Sequence, residues 1–320
     1  MKNDIVYQMV TDNIIAMLNE GKIPWHQSWT GITPMNLISK KPYSGVNIWL
    51  LGPKGYSNPY WLTFRQAVTL GGHVKKGEKG TLIVFWKTRQ IVQKDSETGE
   101  IDTIPLLRYY KVFNVEQCEE IKYPVWKKAD NNSIKRCEDV VSGYTNCPEI
   151  KPDLSKAYYS PGEDYIGIPP ITQFESSEEY YSVLFHEMTH STGHKDRLNR
   201  DGITDGHFFG SQEYSKEELV AEMGASFLCN ITGIDNVAVT KNNVGYIQGW
   251  LKKLREDIRL IIQASSKAQK STDYILGIEH KYNKEKSNEH TKHKSNNSGF
   301  KEAISTEQPC FLENELPKAA

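Results

Sequence analysis

The sequence predicts an α+β protein of two domains, and three observations carry that expectation. The chain has 320 residues, more than a single hydrophobic core usually organises. Its charge is divided: 17 Lys/Arg against 11 Asp/Glu in residues 1–128, 15 against 23 in 129–280, and 7 against 6 in 281–320, or +6, −8 and +1. Aromatic use divides at the same place, with Trp25, Trp29, Trp49, Trp61, Trp86 and Trp126 early and Trp250 alone later. Segments that differ this way predict different partners. The expected organisation is an N-terminal α+β domain over 1–128, a linker over 129–156, a second domain over 157–280 and a disordered tail over 281–320.

The elements follow in order. Residues 4–20 place Ile5, Met9, Ile14, Met17 and Leu18 at helical spacing, and Gly21 ends the run. The next forty residues are rich in aromatics, Gly and Pro and predict short elements joined by turns. TFRQAVTLGG reads as a short helix closed by Gly71. Residues 80–115 read as a β-hairpin, two β-rich runs around the turn DSETGE. The polar stretch 129–156 holds some helix near 133–143. AYYSPGEDYIGIP reads as two short strands around PGED. Ser176 with Glu179 forms a capping-box pattern opening a helix that Gly193 stops. Further helices are expected from Ser215 to about Gly233 and over 243–267. The tail KEKSNEHTKHKSNNSG is polar and of low complexity.

Several classes are excluded. No run of about 18 apolar residues predicts a membrane span. The amphipathic start lacks an apolar signal region and a cleavage site. The five cysteines are scattered, odd in number and without a CxxC pair, so neither a disulfide framework nor a zinc ribbon is expected. A reducing, cytoplasmic setting fits best.

The stretch HEMTHSTGH, residues 186–194, carries the chemistry. His186 and His190 are four apart, so on a helix both imidazoles project from one face, the bite that a zinc ion accepts. Glu187 is placed to take a proton from metal-activated water. The bland alternative is an amphipathic helix with two incidental histidines. Against it, charged and polar groups among Val183, Leu184, Phe185 and Met188 would be costly if they served nothing. A third ligand is needed. Asp196 fits an HExxHxxGxxD pattern, and His194 is a weaker option. Glu218 and Glu222 lie four apart in EELVAEMGASF, although Ser215 and Glu218 also make a capping-box pattern. The ExxAE run looks like the ExxAD helix of many zinc peptidases, where the first acid ligates the metal and the later one orients a ligand histidine. Glu218 is therefore expected as the third ligand and Glu222 as the orienting acid. In zincin peptidases an edge strand pairs with the substrate backbone, and AYYSPGEDYIGIP is placed to supply it. His207, Tyr214 and Tyr246 are candidates for stabilising an oxyanion.

The basic half reads differently. Lys75, Lys76, Lys79, Lys87 and Arg89 flank Trp86, and Arg108, Tyr109, Lys111 and Phe113 follow on the partner strand. Cations that follow phosphates, with aromatic faces that stack on unpaired bases, make a candidate surface for single-stranded nucleic acid. The expected DNA-contacting residues are Lys75, Lys76, Lys79, Trp86, Lys87, Arg89, Arg108 and Lys111. The ordinary alternative puts the tryptophans in a core and the lysines on a solvated turn.

The sequence resembles the ArdC-type antirestriction proteins of conjugative plasmids and related mobile elements. The resemblance rests on PYSGVNIWLL (42–51), TFRQA (63–67), GGHVKKGEKGTLIVFWK (71–87) and YYKVFNVEQ (109–117). It continues through YYSPGEDYIGIP (158–169), HEMTHSTGHKDRL (186–198) and FGSQEYSKEELVAEMGASFLC (209–229). It covers about residues 1–270. It implies an N-terminal single-stranded-DNA-binding domain, a C-terminal zincin-like metallopeptidase domain with one zinc ion per chain, and protection of incoming DNA from restriction. Carried over, His186 and His190 are ligands, Glu187 is the catalytic acid/base, and an acid of EELVAE completes the set. Ser191 departs from the aromatic that many relatives have after the second histidine. Two readings follow: a zinc endopeptidase that acts on proteins near DNA, or a non-catalytic protein that coats single-stranded DNA against nucleases.

Overall fold

The structure, a computed structural model, describes residues 2–26, 33–92, 101–124, 133–204, 212–234 and 243–278. The tail over 281–320 lies outside them. The chain begins with α1 (Lys2–Asn19), which buries Val6, Val10, Ile14 and Leu18, one residue per turn. Gly21 follows at φ +74°, the left-handed conformation that ends helices. β1 (Met35–Asn36) leads to the buried helix α2 (Val46–Leu51), then β2 (Tyr60–Thr63) and α3 (Phe64–Thr69). Thr63 and Gln66 cap α3 reciprocally. β3 (His73–Val74), β4 (Thr81–Val92), β5 (Ile101–Asn114) and β6 (Cys118–Glu119) complete this half.

β4 and β5 form the expected hairpin, in register from Thr81 opposite Val112 to Val92 opposite Ile101. The larger sheet has the order β1-β2-β5-β4, and β3 pairs with β6 in a separate ribbon. The outer edge of β4 is covered at one point by α2. Val84 N donates to Asn47 Oδ1 at 2.7 Å, and Asn47 Nδ2 donates to Val84 O at 2.8 Å.

The second half opens with α4 (Ser133–Gly143), inside the stretch expected as a linker, and β7 (Glu149–Pro152). β8 (Tyr158–Ser160) and β9 (Tyr165–Ile168) are the two strands around PGED, where Asp164 takes φ +52°. Their sheet has the order β7-β9-β8, with β7 parallel and β8 antiparallel to β9. α5 (Ser177–Ser191), α6 (Asp201–Thr204), α7 (Gln212–Thr232), α8 (Asn243–Glu256) and α9 (Leu260–Ile275) follow.

Two helix expectations are corrected. α7 begins at Gln212, so Ser215 lies inside the helix and does not cap it. The helix expected over 243–267 is two, broken at Asp257, whose Oδ1 accepts from Arg259 N at 2.9 Å while Thr11 of α1 donates to Ile258 O at 2.8 Å. Side-chain bonds replace helical ones at that break. No described helix is long and apolar enough to cross a membrane.

Residues 1–278 form one compact unit. Its main core joins α1, α2 and the β4–β5 sheet to Leu219, Val220, Met223 and Phe227 of α7 and to α8 and α9. Trp49 stacks on Phe227 with ring centroids 4.7 Å apart. A second core, with Phe185 and Leu228 among its members, holds α5 over β8 and β9. α5 and α7 approach closely at Gly224, where a Cβ would lie 2.4 Å from Thr189 Cγ2. That approach sets the site.

Candidate metal centre

Ser176 caps α5, accepting from Glu179 N at 3.1 Å, while the Glu179 carboxylate accepts from Glu175 N at 2.9 Å. The helix then carries His186 and His190 on one face toward α7. Their Nε2 atoms are 3.0 Å apart. Glu218 meets both, with Oε2 3.5 Å from His186 Nε2 and Oε1 3.4 Å from His190 Nε2. One donor atom from each of the three residues lies within 4.8 Å of the others. Donors on a tetrahedral ion with bonds of about 2.0–2.2 Å lie roughly 3.3–3.6 Å from one another. The donor set and its spacing fit a divalent metal.

The electrostatics agree with the geometry. Burial disfavours charge on His190, but hydrogen bonding to Glu217 and Glu218 and the nearby Glu187 charge push it up to about 10. Burial likewise opposes ionisation of Glu218, and the two imidazoles outweigh it and hold the carboxyl well below the usual range. A cation is what this arrangement accommodates. Arg200 pairs with Glu217, while the Glu218 carboxylate faces both imidazoles.

The other sequence candidates are distributed as follows. Glu187 is buried on α5. Asp196 is 74% exposed and turns to His194, with Oδ2 3.5 Å from Nδ1, so neither joins the ligand cluster among the described residues. The expectation that Glu222 orients a ligand histidine is corrected. The carboxylate found at the outer nitrogen of His190 is that of Glu217, with Oε1 3.4 Å from Nδ1. Glu222, one helical turn beyond Glu218, faces the N-terminal half instead. It accepts from Trp25 Nε1 at 3.0 Å and from the Tyr246 hydroxyl. Burial and then the Glu222 charge push the Tyr246 phenol up. As an oxyanion candidate, Tyr246 is thus engaged elsewhere. His207 and the side chain of Tyr214 lie outside the described residues.

β8 is an edge of its sheet and packs beside α5. The loop after α5 is tied to its turn. Arg197 donates to both oxygens of Asp164 and, at 3.2 Å, to Tyr159 Oη. Arg197 Nε also reaches Ser191 O at 2.7 Å.

In the N-terminal half, Lys75, Lys76 and Lys79 are exposed on the segment between β3 and β4. Lys75 Nζ donates to Glu116 O at 2.9 Å. Gly80, next to Lys79, lies against Lys111 and the Phe113 ring. The register separates Arg108 from Lys111. Arg108 is opposite Phe85 and Lys111 opposite Leu82, so the two cations occupy opposite faces of the sheet. Phe85, Arg108 and Tyr110 share one face and are all exposed. Trp86, Lys87 and Arg89 sit on β4, and their side chains lie outside the described residues.

A family model for the N-terminal domain of anti-restriction factor ArdC matches residues 4–113, and one for a zincin-like metallopeptidase matches residues 144–267. The protein y4eC of Sinorhizobium fredii is 36% identical over 287 residues, which cover 84% of this chain and 91% of that protein. A DNA primase TraC of Escherichia coli is 32% identical over 295 residues, covering 86% of this chain. The chain spans only 27% of that primase's length. Among solved structures, the antirestriction ArdC protein of plasmid R388 matches in a metal-free and a Mn(II)-bound form. Both are 35% identical with a TM-score of 0.68; this chain is covered to 85% and 86%, and theirs to 97% and 98%. The chain therefore belongs to the ArdC-type antirestriction proteins, with an ArdC N-terminal domain followed by a zincin-like metallopeptidase domain.

Proposed function

We propose that the protein binds single-stranded DNA and uses a zinc-dependent metallopeptidase site to hydrolyse peptide bonds of proteins near that DNA. The observation that carries this reading is the meeting of His186, His190 and Glu218 beside the buried Glu187. His186, His190 and Glu218 would hold one zinc ion. A bound zinc ion supplies positive charge that acidifies water and polarises a carbonyl. Glu187 takes the proton of the attacking water and returns it to the leaving amine. The β8 edge pairs with an extended substrate backbone and presents it along α5.

For DNA, the shared sheet face of Phe85, Arg108 and Tyr110 offers two aromatic rings and a guanidinium to unpaired bases and phosphate. Lys75, Lys76, Lys79 and Lys111 add a second run of cations. Trp86, Lys87 and Arg89 continue β4 and belong to the same reading. Tethering to DNA raises the effective concentration of proteins bound there, so a weak peptide site suffices.

The test is cleavage of a DNA-bound protein with and without zinc, by the wild type and by Glu187→Gln. Zinc-dependent products that vanish in the variant are expected. Equal cleavage by both would remove the mechanism. The exposed aromatic and basic sheet face favours a second reading, in which the protein coats DNA without catalysis. Glu187→Gln would then protect DNA from nucleases as well as the wild type, while substitution of Lys75, Lys76 and Lys79 would abolish protection.

A further inference from the structure

We propose that Glu217 and Arg200 are the positioning residues of the metal centre: together they hold His190 with Nε2 toward the ligand cluster and the ring proton on Nδ1. This rests on reading His186, His190 and Glu218 as the ligand set.

The argument begins with the two nitrogens of His190. Nε2 faces His186 at 3.0 Å and Glu218 at 3.4 Å. A nitrogen that ligates a metal carries no proton, so the proton belongs on Nδ1. The group 3.4 Å from Nδ1 is Glu217 Oε1. Glu217 is 5% exposed and takes no part in the ligand cluster, although it is the immediate neighbour of Glu218.

Arg200 then fixes Glu217. Its Nε donates to Oε2 at 3.0 Å and its Nη2 to Oε1 at 2.5 Å, a two-pronged grip on both oxygens. The guanidinium is itself held. Nη1 donates to Thr192 Oγ1 at 2.6 Å and to Ser271 Oγ of α9 at 2.9 Å, and Nη2 to Thr189 O at 2.8 Å. An arginine tied to three elements leaves the carboxylate little freedom, and the carboxylate in turn leaves the imidazole little.

The backbone makes room for this. A Cβ at Gly193 would lie 2.9 Å from Arg200 Nη2 and 2.6 Å from Ile203 Cγ1, and one at Gly202 would lie 3.0 Å from Glu217 Cβ. Gly193 has no positive φ, so space rather than turn geometry requires glycine there. An ion pair that only fastened the loop to α7 would have no need to end on the outer nitrogen of a ligand. Acids placed this way fix the tautomer and raise ligand basicity.

The test uses the full chain. Zinc affinity is measured by chelator competition for the wild type, Glu217→Gln and Glu218→Ala, and cobalt-loaded forms are compared by visible absorption. Glu217→Gln is expected to bind zinc about 10–100-fold more weakly and to shift the cobalt bands, with far-UV circular dichroism unchanged. Wild-type affinity with unshifted bands overturns the proposal. Should Glu217→Gln not fold, the wild type decides. Long-range proton–nitrogen NMR of the zinc-loaded chain is expected to put the His190 proton on Nδ1, and a proton on Nε2 overturns it. Equal zinc binding by the wild type and Glu218→Ala overturns the ligand set itself, which distinguishes failure of that reading from failure of this one.

Discussion

Replacing Trp49 with Ala tests whether α7, the helix that carries Glu218, depends on the N-terminal half. Trp49 belongs to α2, is 1% exposed and stacks on Phe227 of α7, nine residues beyond Glu218. Truncating a buried tryptophan costs about 3–5 kcal/mol, because the lost transfer energy is joined by the cavity left behind. With a urea slope of roughly 3 kcal/mol/M, that lowers the unfolding midpoint by about 1–1.7 M. The assay is urea unfolding of the zinc-loaded chain, followed by far-UV circular dichroism and by release of the metal. Both transitions are expected to move down together, since Trp49 and α7 share one core. Zinc release that stays at the wild-type midpoint while the dichroism shifts would refute the reasoning.

Further expectations address other parts of the chain. Tyr246→Phe removes one donor from the Glu222 carboxylate and is expected to cost about 1–3 kcal/mol in chemical denaturation; an unchanged midpoint would argue against that bond. Asp164 titrates low: burial pushes it up, but Arg197 and Tyr159 hold it below its usual value of 3.8. Its folded pKa is depressed, so its contribution is present above pH 3.8 and is lost as the pH falls through the folded value. Asp164→Asn keeps a residue tolerant of the left-handed turn, so it should be less stable than the wild type at neutral pH and converge with it in acid; a constant difference across the titration would count against the pair. Phe85→Ala and Tyr110→Ala should each weaken single-stranded DNA binding by about 1–3 kcal/mol, or 5- to 150-fold in Kd by titration, if each ring stacks one base. Losing Lys76 should reduce the salt slope of that binding by about 0.7 per phosphate contact.

The histidine pair was legible because spacing alone dictates it: four residues on a helix put His186 and His190 on one face. Which of Glu217, Glu218 and Glu222 faces them was not fixed by spacing. Successive helical residues point about 100° apart, and the choice depends on how α7 lies against α5, set by the Gly224–Thr189 approach. Glu222 resembled an orienting acid by its distance from Glu218, yet packing turned it to Trp25 and Tyr246. Gly193 read as a helix stop, and a buried arginine seven residues on gave no local signal of its need for space. Strand alternation could have separated Arg108 from Lys111, because residues an odd number apart on a strand face opposite ways. The break at Asp257 depends in part on a bond from α1, which no local pattern reveals.

The central claim is that two imidazoles and the Glu218 carboxylate hold one divalent ion. Zinc K-edge X-ray absorption on the loaded wild type and on Glu218→Ala tests it most directly. The account predicts two imidazole nitrogens and a carboxylate oxygen at about 2.0–2.2 Å, with the protein oxygen lost in the variant. An identical coordination shell in both proteins would contradict it.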